Sequence, residues 1–328
     1  MTKTFDVIGI GNAMVDVISQ AKDTFLDHMG IEKGIMQLIE RDRAEVLYAA
    51  METRTETPGG SVANTLAGIG RLGLSTAFVG KVRDDALGRF YAEAMAEAGT
   101  AFPNPPGPAD APTSRSMIFV SPDGERSMNT YLGAGADLGA ADVPQGVFDG
   151  ARILFLEGYL YDKPEGKTAF EEAARLIAAA GGQAGITLSD PFCVTRHRED
   201  FQRLVAERMD FVIGNEHEWE ALYECDLETA LAKAHDVCET IVCTRSGNSV
   251  ILMRGEERVE VPVKMVTPVD ATGAGDQFAA GFLYGYARGF DLETAGRMGV
   301  IAGSEVVMHI GPRPEADLAE IFKADGLL

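Results

Sequence analysis

A chain of 328 residues with 46% hydrophobic side chains can bury a sizeable core, either as one large α/β domain or as a domain with a smaller addition. Its formal net charge of -21 opposes nonspecific binding to nucleic acid and to anionic membrane surfaces. A polyanionic substrate must therefore be bound by local features such as helix N-termini, a metal ion and a few placed Arg or Lys side chains.

The cysteines and the N-terminus indicate where the protein resides. Cys193, Cys225, Cys238 and Cys243 show neither C-x-x-C spacing nor clustered histidines, so free thiols in a reducing compartment are expected. The N-terminus leads into a short strand pattern without a long apolar segment, and no window reaches the length of a membrane span. We therefore expect a cytoplasmic protein without a membrane partner.

Short apolar runs alternate with amphipathic helical stretches along most of the chain, which predicts an α/β layer architecture. Helices are predicted from Ser61 as N-cap, after Asp84 and from about Pro164. Core strands are predicted at residues 5–10, 76–79, 153–156, 184–188, 211–213, 240–243 and 250–253.

Two stretches, residues 15–41 and 101–133, depart from this alternation of strands and helices. They contain short segments in which apolar and polar residues alternate, separated by turn-rich sequence. They predict a small β-sheet added to the body, placed as a lid that excludes water from a site. The expected division is a core of residues 1–14, 42–100 and 134–328, and a discontinuous lid of residues 15–41 and 101–133.

Gly59 and Gly60 precede the predicted helix at Ser61 and permit close approach of the backbone to a ligand. Asn64 offers a donor and an acceptor from the first turn of that helix, which suits the paired hydroxyls of a sugar. The alternative is an ordinary connection between loop and helix, with Asn64 in solvent.

A second glycine-rich turn, Gly273-Ala274-Gly275, stands directly ahead of Asp276 and an apolar helical pattern. Such a turn leaves the first N–H groups of the helix free to bind a phosphate. Asp276 can accept a hydrogen bond from a substrate hydroxyl and take its proton during phosphoryl transfer. The alternative is a glycine-capped turn whose aspartate only complements the helix dipole.

Other classes of protein are less well supported. Gly9-x-Gly11 follows the first strand, but Met14 stands where a dinucleotide-binding fold has its third glycine, which disfavours a dehydrogenase. A non-catalytic nucleotide-binding protein is a further alternative, although such a protein has no need of a base at Asp276.

Gly59-Gly60-x-x-x-Asn64 resembles the first signature of the ribokinase-like (PfkB) family of carbohydrate and nucleoside kinases. Residues 270–278, Asp-x-Thr-Gly-Ala-Gly-Asp-x-Phe, resemble its second signature, and Asn215-x-x-Glu218 lies between them where the family carries an Asn-x-x-Glu motif. The resemblance covers essentially the whole chain. It implies a ribokinase-like three-layer α/β/α domain with a small β-sheet lid, and an ATP- and Mg²⁺-dependent kinase that phosphorylates a primary hydroxyl.

The resemblance also implies roles for single residues. Asp276 is then the catalytic base, and the backbone of residues 273–275 is the anion hole for the transferred phosphoryl group. Asn215 and Glu218 organise Mg²⁺ through water, although the same pair also fits a helix capping box. The implied ATP contacts are Asn215, Thr244, Gly247, Thr272, Gly273 and Gly275, with adenine in an apolar slot between residues 263–266 and 302–306. Some relatives hold K⁺ beside the anion hole, and both monomers and homodimers occur, so these two properties stay open.

Within the family, several segments resemble those of adenosine kinases. Gly11-Asn12-Ala13-Met14-Val15-Asp16 implies that Asn12 and Asp16 bind ribose hydroxyls, although Ala13 replaces the usual proline. Residues 188–192, Leu-Ser-Asp-Pro-Phe, imply that Phe192 stacks on a purine, and the alternative for Phe192 is core packing. Asp190 departs from the family alanine and would add a carboxylate near the pocket.

The lid segment extends this resemblance. Arg126 is then the lid arginine that reaches the phosphates, and Leu132 and Ala134 line the nucleoside pocket. The full set of implied acceptor contacts is Asn12, Asp16, Gln37, Gly59, Gly60, Ser61, Asn64, Leu132, Ala134, Tyr159 and Phe192. The expected acceptor is the 5′-hydroxyl of adenosine, and the alternative is a sugar such as ribose, fructose or a keto-deoxy sugar acid.

Overall fold

The computed structural model describes residues 4–328 and contains two β-sheets of different size. In chain order the strands are β1 (Val7–Ile10), β2 (Met14–Gln20), β3 (Met36–Leu38), β4 (Thr55–Gly59), β5 (Thr76–Val79), β6 (Thr100–Ala101), β7 (Ser114–Val120), β8 (Arg126–Tyr131), β9 (Ile153–Glu157), β10 (Gln183–Thr187), β11 (Phe211–Asn215), β12 (Thr240–Thr244), β13 (Val250–Arg254) and β14 (Glu257–Val261). The helices are α1 (Asp23–Met29), α2 (Arg41–Ala50), α3 (Ser61–Arg71), α4 (Ala86–Glu97), α5 (Pro164–Ala179), α6 (Pro191–Arg196), α7 (Arg198–Glu207), α8 (Glu216–Tyr223), α9 (Leu227–His235), α10 (Ala274–Ala287), α11 (Leu292–Val306) and α12 (Leu318–Ala324).

The large sheet has nine strands in the order β14-β13-β12-β11-β10-β9-β1-β5-β6. Strands from β12 to β6 run parallel, whereas β13 and β14 are antiparallel to their neighbours. The central strands β1 and β9 are buried along their whole length, which explains their continuous apolar sequence. All seven predicted core strands lie in this sheet; β6 and β14, which form its two edges, were not predicted.

Helices cover both faces of the large sheet and complete three layers. Because successive side chains of a strand point to opposite faces, neighbours enter different cores. Ile8 and Leu154 pack in a core that includes side chains of α5, α7 and α8, whereas Val7 and Phe155 pack in a core that includes side chains of α3, α10 and α11. The predicted ribokinase-like three-layer domain is thereby confirmed.

The small sheet has five strands in the order β3-β8-β7-β2-β4. It draws on both stretches predicted for it: β3 comes from residues 15–41, and β7 and β8 come from residues 101–133. It also includes β4, although the sequence analysis placed residues 55–59 in the core. This strand, Thr-Glu-Thr-Pro-Gly, has no apolar alternation and carries Pro58, as edge strands do, so its backbone pairing with β2 determines its position.

The helix starts agree with the predictions except at one cap. Helix α3 begins at Ser61, but Gly60 with a φ of 96° is its N-cap, and the Ser61 side chain does not cap the helix. Helix α4 has Asp85 as its N-cap, and that carboxylate accepts a hydrogen bond from the Gly88 N–H at 2.8 Å. Helix α5 begins at Pro164. The Ser61 hydroxyl is therefore available to the site described below.

The four cysteines are unpaired thiols, as predicted, and Cys193, Cys238 and Cys243 are buried. In the part of the chain that the structure describes, no helix combines the length and apolar character that a membrane span requires.

Candidate active site

The predicted site residues gather at the carboxyl edge of the large sheet. Asn12 follows β1, whereas Glu157 and Asn215 end β9 and β11. Asp16 lies on β2 of the small sheet, whose β8 also contacts the loop before α10. Because parallel strands end at the same edge, residues far apart in the sequence meet there.

The second glycine-rich turn leads directly into α10. Gly273 is the N-cap with a left-handed φ of 81°, and a Cβ at this position would come within 2.6 Å of Pro312. A Cβ at Gly275 would meet nothing within 4 Å, so this side of the first turn is open. Helix geometry leaves N–H groups free there, and an anion can bind them. Ala274 differs from the prediction because its N–H donates to the Ala271 carbonyl at 3.2 Å.

Asp276 lies in the first turn of α10, and side chains of α3 hold its carboxylate. The Ser61 hydroxyl donates to Oδ1 at 2.6 Å, and Asn64 Nδ2 donates to Oδ2 at 3.2 Å. The Thr65 hydroxyl donates to the backbone carbonyl of Asp276 at 3.0 Å. Both carboxylate oxygens therefore have a fixed orientation, and the carboxylate can accept a proton from a hydroxyl placed in the site.

Burial raises the pKa of Asp276 to about 6, while hydrogen bonds from Ser61 and Asn64 and the positive charge of Arg313 act in the opposite direction. A general base works best when its pKa lies near the working pH. The carboxylate is thus ionised at neutral pH and remains basic enough to take a proton.

We expect kcat/KM to fall as the pH drops through about 6, since protonated Asp276 cannot accept the proton of the acceptor. Rates and melting temperatures measured from about pH 5 to about pH 8 check this expectation.

Burial raises the pKa of both Asp16 and Glu157 to about 7 in the folded protein. The stability that these two groups contribute is therefore complete below their ordinary pKa and is lost as the pH rises through about 7, so acid unfolding through these two groups does not explain an acid loss of rate. A rate that stays constant down to about pH 5 would contradict the assignment of Asp276 as the base.

Asn12 is held by a carboxylate that the sequence analysis did not select. Glu157 is buried, and its Oε1 accepts hydrogen bonds from the Asn12 N–H at 3.2 Å and from Asn12 Nδ2 at 2.8 Å. Its Oε2 accepts a hydrogen bond from the Val62 N–H at 3.2 Å. Glu157 thereby joins the end of β1 to the first turn of α3.

Asp16 lies beside the first glycine pair, where side chains would not fit. A Cβ at Gly59 would come within 2.6 Å of the Asp16 carboxylate, and a Cβ at Gly60 would come within 2.3 Å of the Asn12 carbonyl oxygen. Burial raises the pKa of Asp16 to about 7, with Arg126 and Arg313 lowering it and Asp276 raising it. The glycines are therefore required for close packing at the predicted acceptor site, as their sequence pattern indicated.

Helix α6, which follows the loop after β10, presents Phe192 to solvent from its first turn. Its side chain is 77% exposed, so the alternative of core packing is wrong. Tyr159 contacts the same loop: its N–H donates to Ser189 Oγ at 3.3 Å, and its hydroxyl donates to the Ser189 carbonyl at 3.4 Å. Asp190, expected as an additional pocket carboxylate, is the N-cap of α6 and accepts a hydrogen bond from the Cys193 N–H at 2.7 Å. Its charge complements that helix terminus.

Arg126 connects the small sheet to the loop before the glycine turn. Its Nη2 lies 2.5 Å from Asp270 Oδ2, and its Nη1 donates to Thr272 Oγ1 at 3.0 Å. Both members of the ion pair are largely buried. Arg126 therefore lies beside the loop that leads into the glycine turn, and its contact with the phosphates stays a prediction.

The remaining lid residues have different surroundings. Gln37 uses its amide within the small sheet, where Nε2 donates to Asn129 Oδ1 at 2.8 Å. Ala134 is fully buried and Leu132 is partly buried at the start of the turn after β8. These positions agree with apolar lining at Leu132 and Ala134, whereas the Gln37 amide is already engaged.

Asn215 and Glu218 form the capping box that the sequence left as an alternative. Asn215 N–H and Nδ2 donate to the Glu218 carboxylate at 2.8 and 2.7 Å, and the Glu218 N–H donates to Asn215 Oδ1 at 2.9 Å. Burial raises the pKa of Glu218 to about 8. Each carboxylate oxygen keeps one lone pair, so the pair fits Mg²⁺ through bridging water. Bound Mg²⁺ would neutralise charge on the ATP phosphates.

Asp270 bears on the open question of K⁺. Its Oδ1 accepts a hydrogen bond from the Thr272 N–H at 3.0 Å, and its Oδ2 accepts one from the Gly311 N–H at 2.9 Å. The ion pair with Arg126 already balances its charge. In this arrangement Asp270 does not fit as a K⁺ ligand. No group of three or more His, Cys, Asp or Glu side chains suited to holding a metal ion occurs among residues 4–328.

The predicted nucleotide side of the site combines a loop and a cavity. Thr244 ends β12 next to Asn215 on β11, and Gly247 has a φ of 91° in the following turn. A cavity of about 330 Å³ lies between residues 261–266 and the carboxyl half of α11, with Val266 and Ser304 in its wall. This cavity coincides with the slot predicted for adenine, and its occupant stays a prediction.

Two functional candidates escaped the sequence analysis. Glu157 is an acidic residue at the end of an apolar strand, a position where parallel sheets place their ligand-binding side chains, so this signal was available. Arg313 donates from Nε to Asn64 Oδ1 at 3.2 Å and lies close enough to lower the pKa of Asp16 and Asp276. Its only sequence signal was its place in the turn at residues 311–314.

Comparison with known proteins agrees with this geometry. The model of the pfkB family carbohydrate kinases matches residues 31–317. The structure of a probable sugar kinase from Rhizobium etli CFN 42 is similar, with a TM-score of 0.93 and 43% identity, covering 100% of both chains. The adenosine kinase from Sinorhizobium meliloti has a TM-score of 0.92 and 44% identity, covering 98% of this chain and 100% of that one. The 5-dehydro-2-deoxygluconokinase of Shouchella clausii is 28% identical, with 97% of this chain and 95% of that protein aligned. This chain belongs to the pfkB family of carbohydrate kinases and is a phosphotransferase that acts on an alcohol group.

Proposed function

We propose that this kinase transfers the γ-phosphate of ATP to the 5′-hydroxyl of adenosine and releases AMP and ADP. The observation that carries the proposal is Phe192, a 77% exposed aromatic side chain in the first turn of α6, at the carboxyl edge of the sheet. A purine gains a stacking surface there that a small sugar does not need. The similarity to the adenosine kinase from Sinorhizobium meliloti, at 44% identity, supports the same acceptor.

In the proposed reaction, the 5′-hydroxyl donates a hydrogen bond to Asp276 and attacks the γ-phosphorus in line with the leaving oxygen. The new O–P bond forms as the bond to ADP breaks, and the hydroxyl proton passes to the Asp276 carboxylate. The N–H groups of Gly273 and Gly275 stabilise charge on the transferred group. Asn12 and Asp16 hold the ribose hydroxyls. Asn215 and Glu218 would hold Mg²⁺ through water.

The second candidate function is phosphorylation of a sugar or sugar acid, and similarity to a 5-dehydro-2-deoxygluconokinase favours it. The charges argue against an anionic acceptor. Asp16, Glu157 and Asp276 interact electrostatically in the proposed acceptor pocket, and Arg126 is paired with Asp270. A substrate carboxylate would therefore face three acidic groups, against the partly buried cation Arg313. Neutral sugars such as ribose and fructose are therefore the runner-up.

Replacing Phe192 by Ala should weaken adenosine binding by roughly 1 to 3 kcal/mol, because the variant loses the stacked ring. The side chain is exposed, so the melting temperature should stay within about 2 °C of the parent value. Isothermal titration with adenosine and with ribose measures the effect. We expect weaker binding of adenosine and unchanged binding of ribose.

A matched control replaces Val237, an exposed apolar residue in the turn after α9, by Ala. Its affinities for adenosine and for ribose should both equal the parent values. Normal adenosine affinity in a folded Phe192→Ala variant would remove the main support for a purine acceptor.

A further inference from the structure

Arg313 is a partly buried cation close to the reacting carboxylate. It lies in the loop between α11 and α12, where Nε donates to Asn64 Oδ1 at 3.2 Å and Nη2 lies 3.5 Å from the Met95 sulfur. Across residues 4–328 its guanidinium forms no ion pair with a carboxylate. Withdrawing a charge from water without such a partner is costly, so its position calls for a reason.

The reason lies in the Asn64 amide. The oxygen of this amide accepts from Arg313, and its nitrogen donates to Asp276 Oδ2 at 3.2 Å. A flipped amide would place its NH₂ group against the guanidinium and its oxygen against the carboxylate. Both contacts would be repulsive, so the guanidinium permits only one orientation of Asn64.

The backbone around Asn64 is held as well. Gln277 Nε2 donates to the Asn64 carbonyl and to the Pro312 carbonyl, each at 3.0 Å. The loop that carries Arg313, the helix α3 and the helix α10 are thereby joined by one buried side chain. Movement of the loop would displace both the guanidinium and the catalytic carboxylate.

Arg313 also affects the pKa of Asp276 through its positive charge. Asp16 and Glu157 are the acidic groups that interact with Asp276, and Arg126 interacts with Asp16 from the small sheet. Arg313 lowers the pKa of Asp276, although burial has the larger, opposite effect. Of the two arginines, only Arg313 lies free of a carboxylate pair, since Arg126 is paired with Asp270.

We infer that Arg313 is a positioning residue for phosphoryl transfer, which orients the Asn64 amide so that it holds the Asp276 carboxylate toward the acceptor hydroxyl. The inference rests on Asp276 as the base and is independent of which acceptor is phosphorylated. It assigns a role to a residue that neither signature motif contains.

The test compares Arg313→Met, which removes the charge and the donor, with Arg313→Lys, which keeps both in altered geometry. With the acceptor that the parent enzyme phosphorylates fastest, Arg313→Met should lower kcat by about tenfold to a hundredfold, with KM values changing by less than about threefold. The acid limb of its pH–rate profile should move to higher pH. Arg313→Lys should recover part of kcat and keep the acid limb at the parent position.

A kcat of Arg313→Met within twofold of the parent value would overturn the inference. The inference would also be overturned if Arg313→Met and Arg313→Lys lost kcat equally and the acid limb of the pH–rate profile did not move. Should Arg313→Met not fold, Arg313→Gln takes its place, since it keeps an N–H donor without the charge.

A double variant tests the route through Asn64. Arg313→Met should add little to the loss of kcat caused by Asn64→Ala, because both changes remove the same contact, and full additivity of the two losses would contradict this route. If the parent enzyme did not phosphorylate adenosine, the proposed function would be refuted. The inference about Arg313 would still be tested, because the Arg313 variants are compared with the parent on whichever acceptor is phosphorylated.

Discussion

Asp276→Asn should lower turnover by about two orders of magnitude or more, while the protein keeps its fold and its affinity for ATP. The amide has nearly the size of the carboxylate: its oxygen can accept the hydrogen bond from Asn64 Nδ2, while its NH₂ group donates to the Ser61 hydroxyl, which lies 2.6 Å from Oδ1 in the parent protein. It cannot take the proton of the acceptor. Steady-state kinetics with a coupled assay for ADP measures the loss.

Two controls separate chemistry from folding in this variant. Burial raises the pKa of Asp276 to about 6, so ionising this carboxylate at neutral pH costs the folded protein stability, and the neutral amide should keep or raise the melting temperature. Titration with ATP should give a dissociation constant close to the parent value. Near-normal turnover in Asp276→Asn would refute its assignment as the base.

Gly273→Ala should reduce both stability and turnover. The residue has a φ of 81°, and a new Cβ would come within 2.6 Å of Pro312 Cα. Left-handed backbone alone costs a residue with a side chain roughly 1–2 kcal/mol, and the contact with Pro312 adds to this cost. Denaturant unfolding should therefore show a loss of at least about 1 kcal/mol, and turnover should fall by about a hundredfold because the turn moves.

Gly275→Ala is the matched variant, two residues further along the same turn. A Cβ there meets nothing within 4 Å in the protein, and alanine favours a helix over glycine by about 1 kcal/mol, so stability should be equal or higher. Turnover should still fall by about tenfold or more, since the new methyl group occupies the space in which a phosphate would approach the N–H groups. Full activity in this variant would show that no phosphate binds on that side.

The sequence predicted the large sheet well, because its strands are buried runs whose apolar character does not depend on distant partners. It also located the carboxylate and the glycine turns, whose residue types are set by local geometry at Gly60, Gly273 and Asp276. Strand β4 was misassigned because its position depends on backbone pairing with β2, which composition does not encode.

Two residues near the site have contacts that the sequence did not predict. The carboxylate of Asp190 accepts a hydrogen bond from the Cys193 N–H and caps α6. Arg313 lies 249 positions from Asn64 in the chain, and only the folded loop brings the two together. Contacts made by side chains across such distances follow from tertiary packing, and a single sequence contains little trace of them.

One competition experiment tests the central claim most directly. The enzyme receives ATP and Mg²⁺ together with equal concentrations of adenosine, ribose, fructose and 2-keto-3-deoxygluconate, and mass spectrometry follows the initial rate of each phosphorylated product. Rates in such a mixture report the ratios of kcat/KM, and these ratios define specificity. We expect AMP to form first and to dominate the products. A sugar phosphate that forms in preference to AMP would contradict this expectation.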